Sequence, residues 1–362
     1  MGRKGIRLCF TSIMVTGALV IFGHLIGESR MTSKNNFNLS LPEYKAQVNV
    51  EPQTASRQRE ASKVLILTYM RSGSSLTGDI LQQSRGAFYV YEPIHSIRWE
   101  DRTENWTYPD APTKLVTPKT VHSERVDVLY RLICDLKNVP DRVLQSGFLG
   151  RGMLTQKLQP CVEASKKTHN KTEGTRACIL NLQNACQASP LRVLKTIRFD
   201  MEQARNLSVL IPDLKIIHLV RDPRATLKSQ AAVGECKGFE QQQCAERFCA
   251  MVEDNIVRAD SISKSSRNRI FTLRYENLAK NPIQVSKELY KFGDGSFTKQ
   301  IEDYIFNITS AGRKDDCIIC TTRGNSTEHI DNWKTTMNKT FVKIIQNRCN
   351  YLLKRFGYDI MQ

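Results

Sequence analysis

Five consecutive residues, Arg71-Ser72-Gly73-Ser74-Ser75, join an apolar run, VLILTY, to an apolar-periodic stretch that begins at Leu76. A strand feeding a helix through such a turn aims backbone N–H groups and the positive end of the helix dipole into one concavity, which suits an anion. Gly73 allows close backbone approach, and the serines add hydroxyl donors. The Gly-Lys-Ser/Thr ending of a nucleoside-triphosphate loop is absent. Without that lysine to reach β- and γ-phosphates, or a Mg²⁺-binding carboxylate close by, ATP hydrolysis fits poorly. Arg71 could instead grip a terminal phosphate or sulfonate with its planar fork. A serine- and glycine-rich turn that merely caps a helix would read the same way.

A second constellation follows the apolar run LKIIHLV. In Arg221-Asp222-Pro223-Arg224, Asp222 is placed as a helix N-cap and Pro223 as the first helical residue. Arg221 would then emerge from the C-terminal end of a strand, with Ser229 about two turns into the next helix. Both could converge on one anion beside a sheet crevice, where α/β folds bind ligands. The competing reading makes Arg221 half of a surface ion pair and Ser229 a helix filler. A third residue, Lys195 in Val-Leu-Lys-Thr-Ile-Arg, interrupts a run that would otherwise be a buried strand. A charged head there needs an anion, unless it lies at a solvated strand end.

The elements that must position these residues follow from periodicity. From residue 63 onward short apolar runs alternate with helical patterns, which predicts an α/β fold with a central parallel sheet flanked by helices. Strands are expected over 63–69, 87–91, 192–197, 214–220 and 269–273. Helices are expected over 76–83, 124–136, 201–210, 223–232, 240–262, 282–292, 299–306 and 340–356. In the longest, Cys244, Phe248, Met251, Val252, Ile256, Ala259 and Ile262 recur at three- and four-residue spacing and predict a core-facing stripe. Residues 150–190 show little periodicity and are expected to be an excursion stapled by disulfides.

Composition narrows the setting. Fifty-three Lys and Arg against 36 Asp and Glu give a net charge of +17 over 362 residues, which favours an anionic partner over a neutral one. Arg3, Lys4 and Arg7 precede a mostly apolar run over 8–26, long enough to span a bilayer with residues 1–7 cytosolic and the remainder lumenal. A cleaved signal peptide is the alternative, but no clean small-x-small site follows the run. Residues 27–62 are polar and aperiodic and read as a stem, leaving 63–362 as the lumenal domain. Ten cysteines outside the apolar run and seven Asn-x-Ser/Thr sequons, starting at Asn38, Asn105, Asn170, Asn206, Asn307, Asn325 and Asn338, suit an oxidising, glycosylating lumen. Lumenal residence disfavours nucleic acid as the partner. Cys317-Ile-Ile-Cys320 lacks a second ligand pair and is expected to be disulfide-bonded rather than zinc-binding.

The stretches VLILTYMRSGSSLTGDIL, YVYEPIHSI, VLKTIRFDM, LKIIHLVRDPRATLKSQ, LRYENLAKNP and TTRGNSTEHIDNW, in that order, resemble the Golgi carbohydrate sulfotransferases, most closely the Gal/GlcNAc/GalNAc 6-O-sulfotransferases that act on chondroitin and keratan. The resemblance covers most of 63–333 and extends to the anchor, stem and sequons. It implies a P-loop-like sulfotransferase fold on a type II Golgi membrane protein. The donor it implies is 3′-phosphoadenosine 5′-phosphosulfate (PAPS), with no metal expected and a glycan or glycosaminoglycan as acceptor. Arg71, Ser72, Gly73, Ser74 and Ser75 would hold the 5′-phosphosulfate, and Arg221 with Ser229 the 3′-phosphate. A more weakly matched segment, 322–325, would lie near the nucleotide.

The family's Glu-Pro motif resembles Tyr91-Glu92-Pro93, which makes Glu92 the expected base for the acceptor hydroxyl. A structural pairing of Glu92 with an arginine, and His95 as the base instead, are the alternatives. Lys195 would meet the donor's bridging oxygen, and Arg198 would serve donor or acceptor. Loops 96–119 and 150–190, with Trp99, Trp106 and many basic residues, are expected to line a sugar groove unless the tryptophans are core. A tyrosylprotein sulfotransferase, a non-catalytic lumenal glycan-binding protein and a kinase-like nucleotide enzyme are the rival functions.

Overall fold

The computed structural model describes residues 60–97, 101–167, 171–266, 268–312 and 324–361. The expected anchor, the stem up to residue 59, the Cys317–Cys320 pair, Trp99 and residues 322–323 of the segment expected near the nucleotide lie outside them. Among the described residues no helix is long and apolar enough to cross a membrane.

The described residues form seven strands in two sheets: β1 (Ser62–Leu67), β2 (Phe88–Tyr91), β3 (Glu104–Trp106), β4 (Lys114–Val116), β5 (Leu191–Thr196), β6 (Lys215–Val220) and β7 (Ile270–Arg274). The main sheet has the order β2-β5-β1-β6-β7 and is parallel at every pairing. All six residues of β1 are buried, as expected of the central strand of a sheet covered on both faces. Its side chains alternate between two cores. Leu65 and Leu67 face one with Leu194 and Ile216, while Val64 and Ile66 face the other with Val193, Ile217 and Leu219. Helices Val121–Arg131 and Met201–Leu210 cover the first face, and Ser74–Leu81, Pro282–Phe292 and Lys299–Thr309 the second.

The five main strands lie within two residues of their expected ends. The differences have local causes. The expected helix over 340–356 is two, Lys339–Arg348 and Asn350–Phe356, broken at Cys349, which is buried and disulfide-bonded to Cys249. Met251 is exposed, at the edge of the stripe that Phe248, Val252, Ile256, Ala259 and Ile262 bury, because a three-residue step from Phe248 falls short of the 3.6-residue turn of helix Gln241–Ser265. The excursion after residue 150 carries helices Leu158–Ser165 and Lys171–Gln187, joined by Cys161–Cys178 and tied to the preceding segment by Cys134–Cys186. Cys236–Cys244 closes a fourth, short loop. Loop 96–119 contains the β3–β4 hairpin. Its Trp106 is buried core rather than the wall of a groove.

Candidate active site

The C-terminal ends of β1, β2, β5 and β6 open into one cleft of about 540 Å³. Every residue expected to bind or react, except Ser72, lines it: Arg71, Gly73, Ser74 and Ser75 from the first turn, Arg221 and Ser229 from the second, and Glu92 with Lys195. Ser72 is turned inward, fully buried, with no partner for its hydroxyl among the described residues. It therefore shapes the turn rather than facing the cleft.

The first turn is built for an anion. Helix Ser74–Leu81 follows Gly73 with no side-chain cap and no acidic residue in its first turn, which leaves orphan N–H groups at its start. Gly73 has φ 89°, and a Cβ there would collide with the ring of Tyr275. Arg71 is also left-handed, at φ 67°. A non-glycine residue there stores backbone strain, a cost tolerated mostly at functional turns.

The second turn interlocks with the first. Asp222 accepts from Arg224 N at 2.8 Å and Pro223 occupies the first turn, as the sequence predicts. Arg221 donates to the carbonyl of Arg71 at 2.9 Å and to that of His329 at 2.7 Å, its guanidinium 4.3 Å from the Tyr275 centroid. Its Nε is buried without a partner among the described residues. Arg71 Nε donates to Ser229 Oγ at 2.9 Å. The two predicted cradles are thus one continuous basic surface, not two separate pockets. Uncapped N–H groups, a glycine with no room for a side chain and the one unpartnered nitrogen of Arg221, its Nε, fit a ligand with phosphate-like groups at two points.

Behind the cleft Arg224 is buried between the Asp222 carboxylate at 2.7 Å, Gln346 at 2.9 Å and the carbonyl of Asp359 at 2.6 Å, over the ring of Trp333. Below the first turn, the Tyr69 hydroxyl shares a 2.8 Å hydrogen bond with His218 Nε2 and accepts from Asn255 at 3.1 Å. Burial lowers the His218 pKa to about 4, so the ring is neutral at neutral pH.

The other wall is charged. Glu92 ends β2 with φ 47° and is buried. Its Oε1 accepts from Lys195 Nζ at 2.6 Å, and its Oε2 from Arg198 at 2.9 Å and from the Ile197 amide at 3.4 Å. Lys195 is 2 % exposed, which overturns a solvated strand end. The anion it needs is present in the protein as Glu92. Glu92 does pair with an arginine, Arg198, yet still lines the cleft. A carboxylate has about four acceptor sites. Lys195 occupies one on Oε1, so that oxygen keeps capacity to accept a proton.

Sequence reasoning missed Tyr91, Phe148, Arg151 and Tyr275 as cleft residues. Tyr91 and Tyr275 lie inside motifs already quoted, beside Glu92 and in LRYENLAKNP. Phe148 and Arg151 lie in a segment without period, and nothing in the sequence places them at the cleft. Of loops 96–119 and 150–190, Arg151 alone among the described residues lines it. Among the described residues no three His, Cys, Asp or Glu side chains cluster as metal ligands do.

A parallel α/β sheet with a basic surface at its strand ends and a carboxylate across the cleft suits an enzyme that handles an anionic donor. Residues 61–357 match the sulfotransferase domain family, and the chain belongs to that family. It is 28% identical to carbohydrate sulfotransferase 3 of Homo sapiens, over 82% of this chain and 67% of that protein. It is also 28% identical to carbohydrate sulfotransferase 1 of Danio rerio, over 82% of this chain and 77% of that one. Among solved structures, the sulfotransferase domain of the Synechococcus PCC 7002 olefin synthase aligns with a TM-score of 0.49 at 16% identity, over 85% of this chain and 100% of that domain.

Proposed function

We propose that this sulfotransferase moves a sulfuryl group from PAPS to a hydroxyl, the 6-hydroxyl, of Gal, GlcNAc or GalNAc in a glycan or glycosaminoglycan. The observation that carries the reading is the single cleft that places the Arg71–Ser75 turn, Arg221 and Ser229 opposite the Glu92–Lys195 pair. The carbohydrate sulfotransferase relatives support a saccharide acceptor.

When bound, the donor supplies an activated sulfuryl group on a phosphate oxygen. The uncapped N–H groups of helix Ser74–Leu81, with Ser74, Ser75 and Arg71, hold its 5′ end; Arg221 and Ser229 hold its 3′-phosphate. Glu92 accepts the acceptor hydroxyl's proton at Oε1, held in place by Lys195 and Arg198. Lys195 keeps two of its three donors for charge that collects beside Glu92. The charged, sequon-bearing sequence and the disulfides support a Golgi lumenal domain, carried on a type II anchor over 8–26 and a stem over 27–62.

The test supplies ³⁵S-labelled PAPS to the full chain with chondroitin, keratan, N-glycan and tyrosine-peptide acceptors. Label on a saccharide, mapped to O6 after digestion, is the expected result. Transfer to the tyrosine peptide alone, or to nothing, overturns the reading.

A further inference from the structure

One cationic group in the cleft is employed by neither the Arg71–Arg221 cradle nor the Glu92 pair. Arg151 ends the 3₁₀ turn Gly147–Arg151 and lines the cleft beside Phe148, His95 and Tyr91. Its guanidinium carbon lies 4.8 Å from the Tyr91 ring centroid. Among the described residues it has no carboxylate or hydrogen-bond partner, and it is exposed. Phe148 stacks on Tyr91 at 5.7 Å and packs edge-on against His95 at 4.2 Å.

This turn is fixed rather than loose. The buried Thr155 hydroxyl reaches the Leu149 carbonyl at 2.6 Å and the Tyr89 carbonyl of β2 at 3.3 Å. At Gly152 a Cβ would run into that same Tyr89 carbonyl, so the backbone lies directly on the strand. A guanidinium stacked on a ring and presented by a fixed turn gives up little freedom when it grips an oxyanion, and its planar fork matches carboxylate and sulfate alike.

Position decides which ligand it meets. The Tyr91 ring that supports Arg151 also carries Lys195 Nζ at 4.3 Å, and Lys195 holds Glu92 Oε1. Both cations lie against one ring, so Arg151 is on the side of the cleft where an acceptor hydroxyl reaches Glu92. The geometry points to Arg151 as a specificity residue that reads an oxyanion, carboxylate or sulfate, on the sugar next to the one being sulfated. Phe148 and His95 form the wall against which that sugar lies. The inference rests on the proposed saccharide acceptor.

The test compares the full chain with its Arg151→Ala and Arg151→Lys variants. The acceptors are an unsulfated chondroitin oligosaccharide, the same oligosaccharide with its carboxylates reduced to alcohols, and the reduced form sulfated on the neighbouring sugar. Arg151→Ala is expected to raise the KM for an anionic acceptor about tenfold, with kcat and donor KM within about twofold and the reduced acceptor unaffected; Arg151→Lys should fall between, lacking the fork. Discrimination confined to the carboxylated or to the sulfated acceptor identifies which oxyanion is read. An equal effect on all three acceptors, or none, overturns the inference.

Calorimetric binding of the same oligosaccharides in the presence of adenosine 3′,5′-bisphosphate separates this inference from the proposed reaction. A wild-type preference for the anionic oligosaccharide that Arg151→Ala abolishes supports the subsite even where no transfer occurs, an outcome that sinks only the reaction. A wild-type chain with no such preference overturns the subsite.

Discussion

At the ends of β1 and β6 the groups proposed to bind the donor belong to the very turns that leave the strands, so Arg71 to Ser75 and Arg221 to Ser229 are each a short contiguous segment. At the ends of β2 and β5 the opposite wall is assembled from Glu92, Lys195, Arg198 and a turn at Gly147–Arg151 that packs onto β2 from far along the chain. The supports differ as well. Beneath Arg71 lie neutral hydrogen bonds, Tyr69 with His218 and Asn255, and Gln230 to the Met70 carbonyl at 2.9 Å. Around Glu92 lie buried charges. The neutral support is confined to the first turn, since the second rests on the buried Arg224–Asp222 pair. The opposite wall instead draws its charged groups from segments far apart in the chain.

This contrast can be broken most severely at Glu92. Glu92→Gln is expected to lower kcat by about 10²–10³ while leaving the affinity for adenosine 3′,5′-bisphosphate within about threefold, read by steady-state kinetics and calorimetry. Full turnover in that variant would remove Glu92 as the base. Because Lys195 then loses its carboxylate in a buried site, the same variant should also unfold at lower temperature.

The neutral support makes the next largest prediction. His218 titrates near 6.5 when unfolded and near 4 when folded, so between those values the unfolded chain binds the extra proton. Stability is unaffected by this group above about pH 6.5 and falls by up to about 3 kcal/mol as pH drops toward 4. Denaturant titrations across that window should show a shallower loss in His218→Gln. Equal slopes would mean the imidazole does not set it.

Arg221→Ala comes third. Losing a charged hydrogen-bonding group should weaken adenosine 3′,5′-bisphosphate binding by about 10- to 100-fold with little change in kcat at saturating donor, the reverse of the Glu92 pattern. Should both variants lose kcat and donor binding together, the two walls are not separable. Smallest is Gly73→Ala, which places a side chain at φ 89° against Tyr275 and should cost about 1–2 kcal/mol in thermal unfolding, along with a weaker donor affinity.

The same contrast explains what could be read from the chain beforehand. β1 and β6 are continuous apolar runs ending at a turn with distinctive residues, so strand, turn and chemistry are adjacent in sequence. Lys195 was legible as a charge in a buried strand, but its partner was not, since Glu92 comes to it only through the β2–β5 pairing, Tyr91 opposite Lys195. The break at Cys349 could not be read, because the 3.6-residue pattern continues across a residue whose position is set by its bond to Cys249. Arg151 was hidden for a third reason. Its place depends on Thr155 and Gly152 meeting a β2 carbonyl, a contact that no local period encodes.

The burial of Arg224 has a consequence for the order in which the molecule is made. Its guanidinium sits at the root of the turn that carries Arg221, and one of its acceptors, the Asp359 carbonyl, lies 135 residues further along the chain. Until residue 359 has left the ribosome, that buried charge lacks one of its acceptors, although β1 and β6 can already pair. The turn that looks most local in sequence thus gains its full set of buttressing contacts only when the chain's final residues are in place.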